Sequence, residues 1–156
     1  MKAIQSLVVS AALAIAMAAP AVAGINDPEV LIYRFPGVRD NGAAIGEGVA
    51  TVFHCTNFSG VTENIRLVTR GADGTLLQNT STPILHLSTN TWYTHAPNAY
   101  GGINHPTNHV TQGTTAIAAT SINIICTAVT IDASTIAPVG VALRGIRFSP
   151  VPGSQE

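Results

Sequence analysis

The sequence predicts an all-β protein, an antiparallel β-sandwich of about seven or eight strands with one disulfide. Three observations carry the prediction. No helical period survives beyond residue 23. From there the chain is a series of short runs rich in Val, Ile, Thr, Phe and Tyr, broken by Gly, Asn, Asp and Pro at intervals of roughly ten residues. Its two cysteines, Cys55 and Cys126, lie inside apolar strand-like runs rather than in turns.

The first 23 residues have the pattern of a secretory leader. Lys2 supplies the positive end, Leu7 to Ala19 an apolar Ala-rich stretch, and Ala21-Val22-Ala23 a small-x-small cleavage pattern that makes Gly24 the new N-terminus. The apolar stretch falls short of the about 20 residues a spanning helix needs, so no membrane span is expected in the remaining chain. The expected location is secreted or periplasmic, and the Ala-rich leader points to a bacterial host. In such a place an even cysteine count implies a disulfide, and two cysteines allow one connectivity. It would close a loop of about 72 residues, linking one strand of each sheet or two neighbouring strands.

Along the chain, Glu29 to Phe35 is the first predicted strand, ended by Pro36-Gly37, and Arg39 to Gly48 is a loop. Gly48 to Phe58 alternates most clearly and turns Phe53 and Cys55 toward the core. Asn64 to Arg70 places Ile65, Leu67 and Thr69 inward and Arg66 and Arg70 outward. The turn Gly71-Ala72-Asp73-Gly74 then leads into Thr75 to Asn79, forming a hairpin. Leu85 to Thr94 follows, with Pro83 marking an edge or a strand entrance. Asn98 to Gly113 is the longest irregular stretch. Thr114 to Ile131 is one long run, and Val139 to Phe148 is the last strand. With no internal repeat and no linker, residues 24–148 form a single sandwich domain followed by an extended tail, 149–156.

The likeness to immunoglobulin domains is one of architecture only. Trp92 lies between the two cysteines but too many strands along, and Ile124 stands where a tyrosine would precede the second cysteine.

Composition excludes some partners. With the leader removed, six arginines face eight acids, a formal net charge of −2, and no lysine remains. No basic patch is large enough to hold a phosphate backbone, so nucleic acid is not an expected partner. A weakly charged, Thr/Ser/Asn-rich surface repels its own copies little. Absent too are Gly-x-Ser-x-Gly, His-Glu-x-x-His and a phosphate-cradling glycine loop, so no catalytic residue is expected.

Two groups of side chains are candidate sites. His95, His105 and His109 cluster around the long loop, and His105-x-x-x-His109 has a spacing that zinc ligands use. Pro106 argues against the helix that would put both rings on one face, so no cofactor is expected and a metal is only the alternative. Trp92, Tyr93 and Tyr100 lie by the same loop, where aromatic faces and neighbouring asparagines can hold a sugar ring. Arg66, Arg70, Arg144 and Arg147 would form an outward stripe if their strands paired.

The leading functional expectation is a non-enzymatic structural or interaction module, a surface, matrix or filament component. It would associate through β-strands with itself, or with another extracellular protein or a glycan. Edge strands invite pairing, and Ile25 to Phe35 is a candidate strand for exchange between subunits. The alternative is a module that binds a small ligand, a glycan or a metal through the loop Trp92 to His109.

Overall fold

On β2 (Val49–Asn57), Phe53 and Cys55 are buried while His54 and Thr56 beside them are not, so a period of two sets one face toward a core. The same alternation organises the other strands. The computed structural model describes residues 24–42 and 44–148, and none of these is helical. The leader 1–23 and the tail 149–156 lie outside the described residues.

Among the described residues, ten strands make two five-stranded sheets. The first has the order β10 (Ile146–Arg147), β1 (Val30–Asp40), β7 (Val110–Ala119), β3 (Glu63–Gly71), β4 (Leu76–Ile84). The second has the order β6 (Ile103–Asn104), β5 (Thr89–Tyr93), β2, β8 (Ile124–Asp132), β9 (Gly140–Leu143). Neighbours are antiparallel except β5 and β6, which run parallel over two residues. The predicted sandwich is therefore the observed architecture, with two or three strands more than expected, β6, β9 and β10 being the short ones.

Ile32, Phe35, Phe53, Ile65, Leu67, Trp92, Ile117 and Ile124 fill the space between the sheets. A second, smaller cluster of Ala50, Val52, Ile131 and Ala133 packs with Tyr93 and Tyr100. Ala50 and Val52 alternate with Thr51 and Phe53, so this cluster sits on the other face of the second sheet, with Tyr100 from the loop after β5 covering it.

Cys55 and Cys126 are bridged, standing directly opposite each other on β2 and β8 with their Cα atoms 4.1 Å apart. Of the two predicted arrangements the bridge joins neighbouring strands of one sheet. The β3–β4 hairpin forms as predicted, its turn closed by Asp73, whose carboxylate accepts from the Thr75 N–H at 2.9 Å.

Five predicted boundaries are corrected. Pro36-Gly37 does not end the first strand. β1 runs on to Asp40 through bulges, with Pro36 opposite Thr114 of β7 and with β10 pairing β1 only at Tyr33 and Arg34. β4 continues to Ile84 instead of stopping at Asn79, and the strand expected over 85–94 shrinks to β5. The run 114–131 is two strands in different sheets. Between them the Ser121 hydroxyl accepts from the Asn123 N–H at 3.1 Å, and the Thr120 hydroxyl accepts from the Asn64 N–H at 3.0 Å. Hydroxyls thus take up backbone groups and hold the bend between sheets. The run 139–148 likewise splits into β9 and β10, which lie in opposite sheets. The link passes the Phe35 ring at Gly145, where a Cβ would stand 2.4 Å from a ring carbon.

Candidate functional site

The predicted site residues lie where the chain leaves β5 and reaches β7, and the fold sends them to different places. Trp92 is fully buried between the sheets. Tyr93 and Tyr100 belong to the cluster on the opposite face, where Tyr100 meets the His54 ring edge-on at 5.0 Å and the Tyr93 hydroxyl donates to the Gly102 carbonyl at 3.1 Å. The three aromatic residues therefore form no common platform, because Trp92 and Tyr93 are adjacent on a strand and face opposite ways.

The histidines separate as well. His95 brings Nδ1 to within 2.6 Å of Asp40 Oδ1 and Nε2 to within 2.7 Å of the Glu47 carbonyl. Both partners only accept, so both bonds form at once when the ring carries two protons and the pair is an ion pair. Asp40 is buried, and its other oxygen accepts from the Thr107 hydroxyl at 2.6 Å. The approach needs Gly42, where a Cβ would lie 2.4 Å from His95 Nε2.

His105 is fully buried and bridges two hydroxyls, Thr69 Oγ1 at Nε2 and Thr80 Oγ1 at Nδ1, each at 2.8 Å. Hydroxyls donate or accept, so a neutral ring satisfies both bonds. Burial holds its pKa down at about 4. Burial also lowers that of His54, which bonds the Thr91 hydroxyl at 2.9 Å. His109 is exposed, with a φ of 145°. Among the described residues no three His, Cys, Asp or Glu side chains converge as metal ligands would.

What the loop does build is a cavity of about 490 Å³. Asp40, Tyr93, His95, Asn104 and Asn108 supply its polar wall, and Ile45, Ala96 and Pro106 its apolar one. The size is that of a small-molecule site. Its acid and imidazole are already engaged with each other, and the second ring nitrogen faces the Glu47 carbonyl. The Asn104 and Asn108 amides are exposed at the wall, and Asn108 sits at a φ of 64°, beside the unusual φ of His109. Sequence reasoning missed Asp40 and Asn108 as site residues, whereas Asn104, with Asn90 and Asn98, was among the asparagines expected to hydrogen-bond a sugar, and it does line the cavity. For Asp40 the only signal was its place in Asp40-Asn41-Gly42, which was assigned to a loop.

Four strands form the sheet edges, β10, β4, β6 and β9, and β4 and β9 are the longest of them. β4 is nine residues long without a charged side chain. On it Gln78 Oε1 takes the Asn79 N–H at 2.8 Å, and Asn90 donates to the Pro83 carbonyl at 3.2 Å. β9 is shorter and apolar, with Val139 92%, Val141 72% and Ile136 84% exposed around it. The candidate exchange segment, Ile25 to Phe35, contributes to β1, which lies between β7 and β10 of its own chain.

The predicted arginine stripe is divided. Arg66 and Arg70 share β3, Arg147 on β10 stands 5.6 Å over the Tyr33 ring, and Arg144 lies in the β9–β10 link. Among the described residues no helix is long and apolar enough to cross a membrane.

No family model matches the chain, and neither a curated protein nor a solved structure matches it.

Proposed function

We propose that the chain is a binding module for a small hydroxylated ligand, one or two neutral sugar residues, held in the cavity beside Asp40 and His95. The observation that carries this reading is the cavity itself, about 490 Å³ with the Asn104 and Asn108 amides on its wall. An amide donates and accepts side by side, which matches neighbouring hydroxyls. Pro106, Ala96 and Ile45 offer the apolar surface that the carbon face of a sugar needs. The backbone at Asn108, at a φ of 64°, is consistent with a side chain placed for binding at some local cost. The test is ligand-observed NMR with a panel of neutral mono- and disaccharides. Binding is expected in the purified protein and is expected to be lost in Asn104→Ala/Asn108→Ala. Equal binding in that double variant would remove the cavity from consideration.

A second reading rests on a different observation, the apolar edge at β9. Val139 just before β9 and Val141 on it stand in solvent, and β9 pairs only with β8 and carries no charged side chain. Such an edge pairs with another strand, and a second copy meets little charge repulsion at a net charge this small. This supports a secreted module that self-associates. Sedimentation across a concentration series checks it, with Val141→Lys expected to shift the equilibrium to monomer.

A further inference from the structure

We propose that the outer face of the first sheet is a binding trough for an acidic polysaccharide, with Arg34, Arg66 and Arg70 as its anion-binding groups. The floor is β7. Its outward residues Thr114, Ala116 and Ala118 are all small, and they alternate with the buried Thr115, Ile117 and Ala119. The walls rise from the strands on either side. Arg34 stands opposite Ala116 on β1, while Arg66 and Arg70 stand opposite Ala118 and Thr114 on β3. Small residues between larger ones leave a depression of about 370 Å³. From Thr114 to Ala118 it follows the strand for about 14 Å at 3.4 Å per residue.

Three arginines and one acid, Glu29, line this depression. Glu29 pairs with Arg66 through Nε, which leaves that guanidinium's terminal nitrogens. Arg70 gives one terminal nitrogen to the Gly74 carbonyl at 2.8 Å. Arg34 is exposed and has no ion-pair partner among the described residues. The walls thus carry an excess of two positive charges, on groups that only donate. Guanidinium forks match carboxylates and sulfates in a planar, two-bond geometry. A ligand rich in acceptors fits this lining. An acidic polysaccharide is such a ligand, since its carboxylates and ring oxygens accept. An acidic peptide would bring a row of backbone N–H donors to walls built of donors, at a cost for each one left unpaired. The alanine floor leaves room for rings to lie close to the sheet.

The test is calorimetric titration of the purified protein with a hexauronate and with a neutral hexasaccharide, at two salt concentrations. The hexauronate is expected to bind and to weaken as salt rises, and the neutral sugar is expected not to bind in the trough. Arg34→Ala, at an exposed side chain without an ion-pair partner, is expected to weaken the hexauronate about tenfold with an unchanged denaturation midpoint. Arg34→Ala/Arg70→Ala is expected to abolish it. Asn104→Ala/Asn108→Ala, on the separate cavity, is expected to leave it intact. Failure of the hexauronate to bind, or equal binding to the Arg34→Ala variant, overturns the proposal. So does a hexaglutamate peptide that binds as tightly as the hexauronate, which would assign the trough to acidic peptides.

Discussion

The His105 imidazole stands between Thr69 and Thr80, 2.8 Å from each hydroxyl, so a loop that leaves the second sheet is bonded into β3 and β4 of the first. Thr69 passes the contact on to Thr115 of β7 at 2.6 Å. A buried polar chain of this kind stabilises when every member is satisfied and becomes costly when one is not.

His105 should make stability depend on pH. The unfolded chain takes up a proton on this ring near pH 6.5, whereas the folded chain resists until about pH 4. Between these values the unfolded state binds more protons, so stability rises with pH and is lost as pH falls through the window. The expected loss from pH 6.5 to 4 is about 3 kcal/mol, and His54 acts in the same direction. Urea denaturation at a series of pH values checks this. In His105→Gln the slope across the window should shrink, and an unchanged slope would refute the assignment.

Asp40 holds two donors, the His95 ring and the Thr107 hydroxyl, and is itself buried. Asp40→Ala leaves both without their acceptor and should cost about 2 to 3 kcal/mol. Thr107→Val removes one of the two bonds and should cost about 1 kcal/mol. Chemical denaturation of the three proteins side by side gives the order.

Trp92 is the only tryptophan, so emission reports on it alone. Buried among apolar side chains, it should emit in the blue and resist acrylamide quenching. Addition of any sugar that binds should leave that emission in place. A red-shifted, readily quenched emission would mean that the ring faces water.

Reduction of the Cys55–Cys126 bridge frees a loop spanning a sequence separation of 71. Since the two residues already face each other across paired strands, the reduced fold should survive with about 4 kcal/mol less stability on the chain-entropy account. Urea titrations with and without reductant measure the difference directly.

Alternation made Phe53, Cys55, Ile65 and Leu67 legible as core residues, and Asp73-Gly74 made the hairpin legible. These are local signals, carried by a period of two or by one turn. The break inside 114–131 was not legible, because apolar and polar residues alternate on both sides of Ser121. Only the pairing of β7 with β1 and β3, and of β8 with β2, shows that two sheets are involved. The site was less legible than the fold. His95, His105 and His109 are neighbours in sequence, yet their rings end on Asp40, on two threonines and in solvent. Arg34 and Arg66 belong together only because β7 lies between their strands, a relation that no local pattern carries.

The strand order also sets when the molecule can be assembled. β1 pairs only with β7 and β10, and β8 supplies the antiparallel neighbour of β2 that carries the second cysteine. A ribosome that has made residues 1–109 has therefore produced the β3–β4 hairpin and the β2–β5–β6 pairings, while β1 awaits β7 and β2 awaits β8. Non-local pairing of this kind folds slowly. The nascent chain stays unfinished until its last third appears, and for that interval it remains in a form that can be threaded, held or degraded.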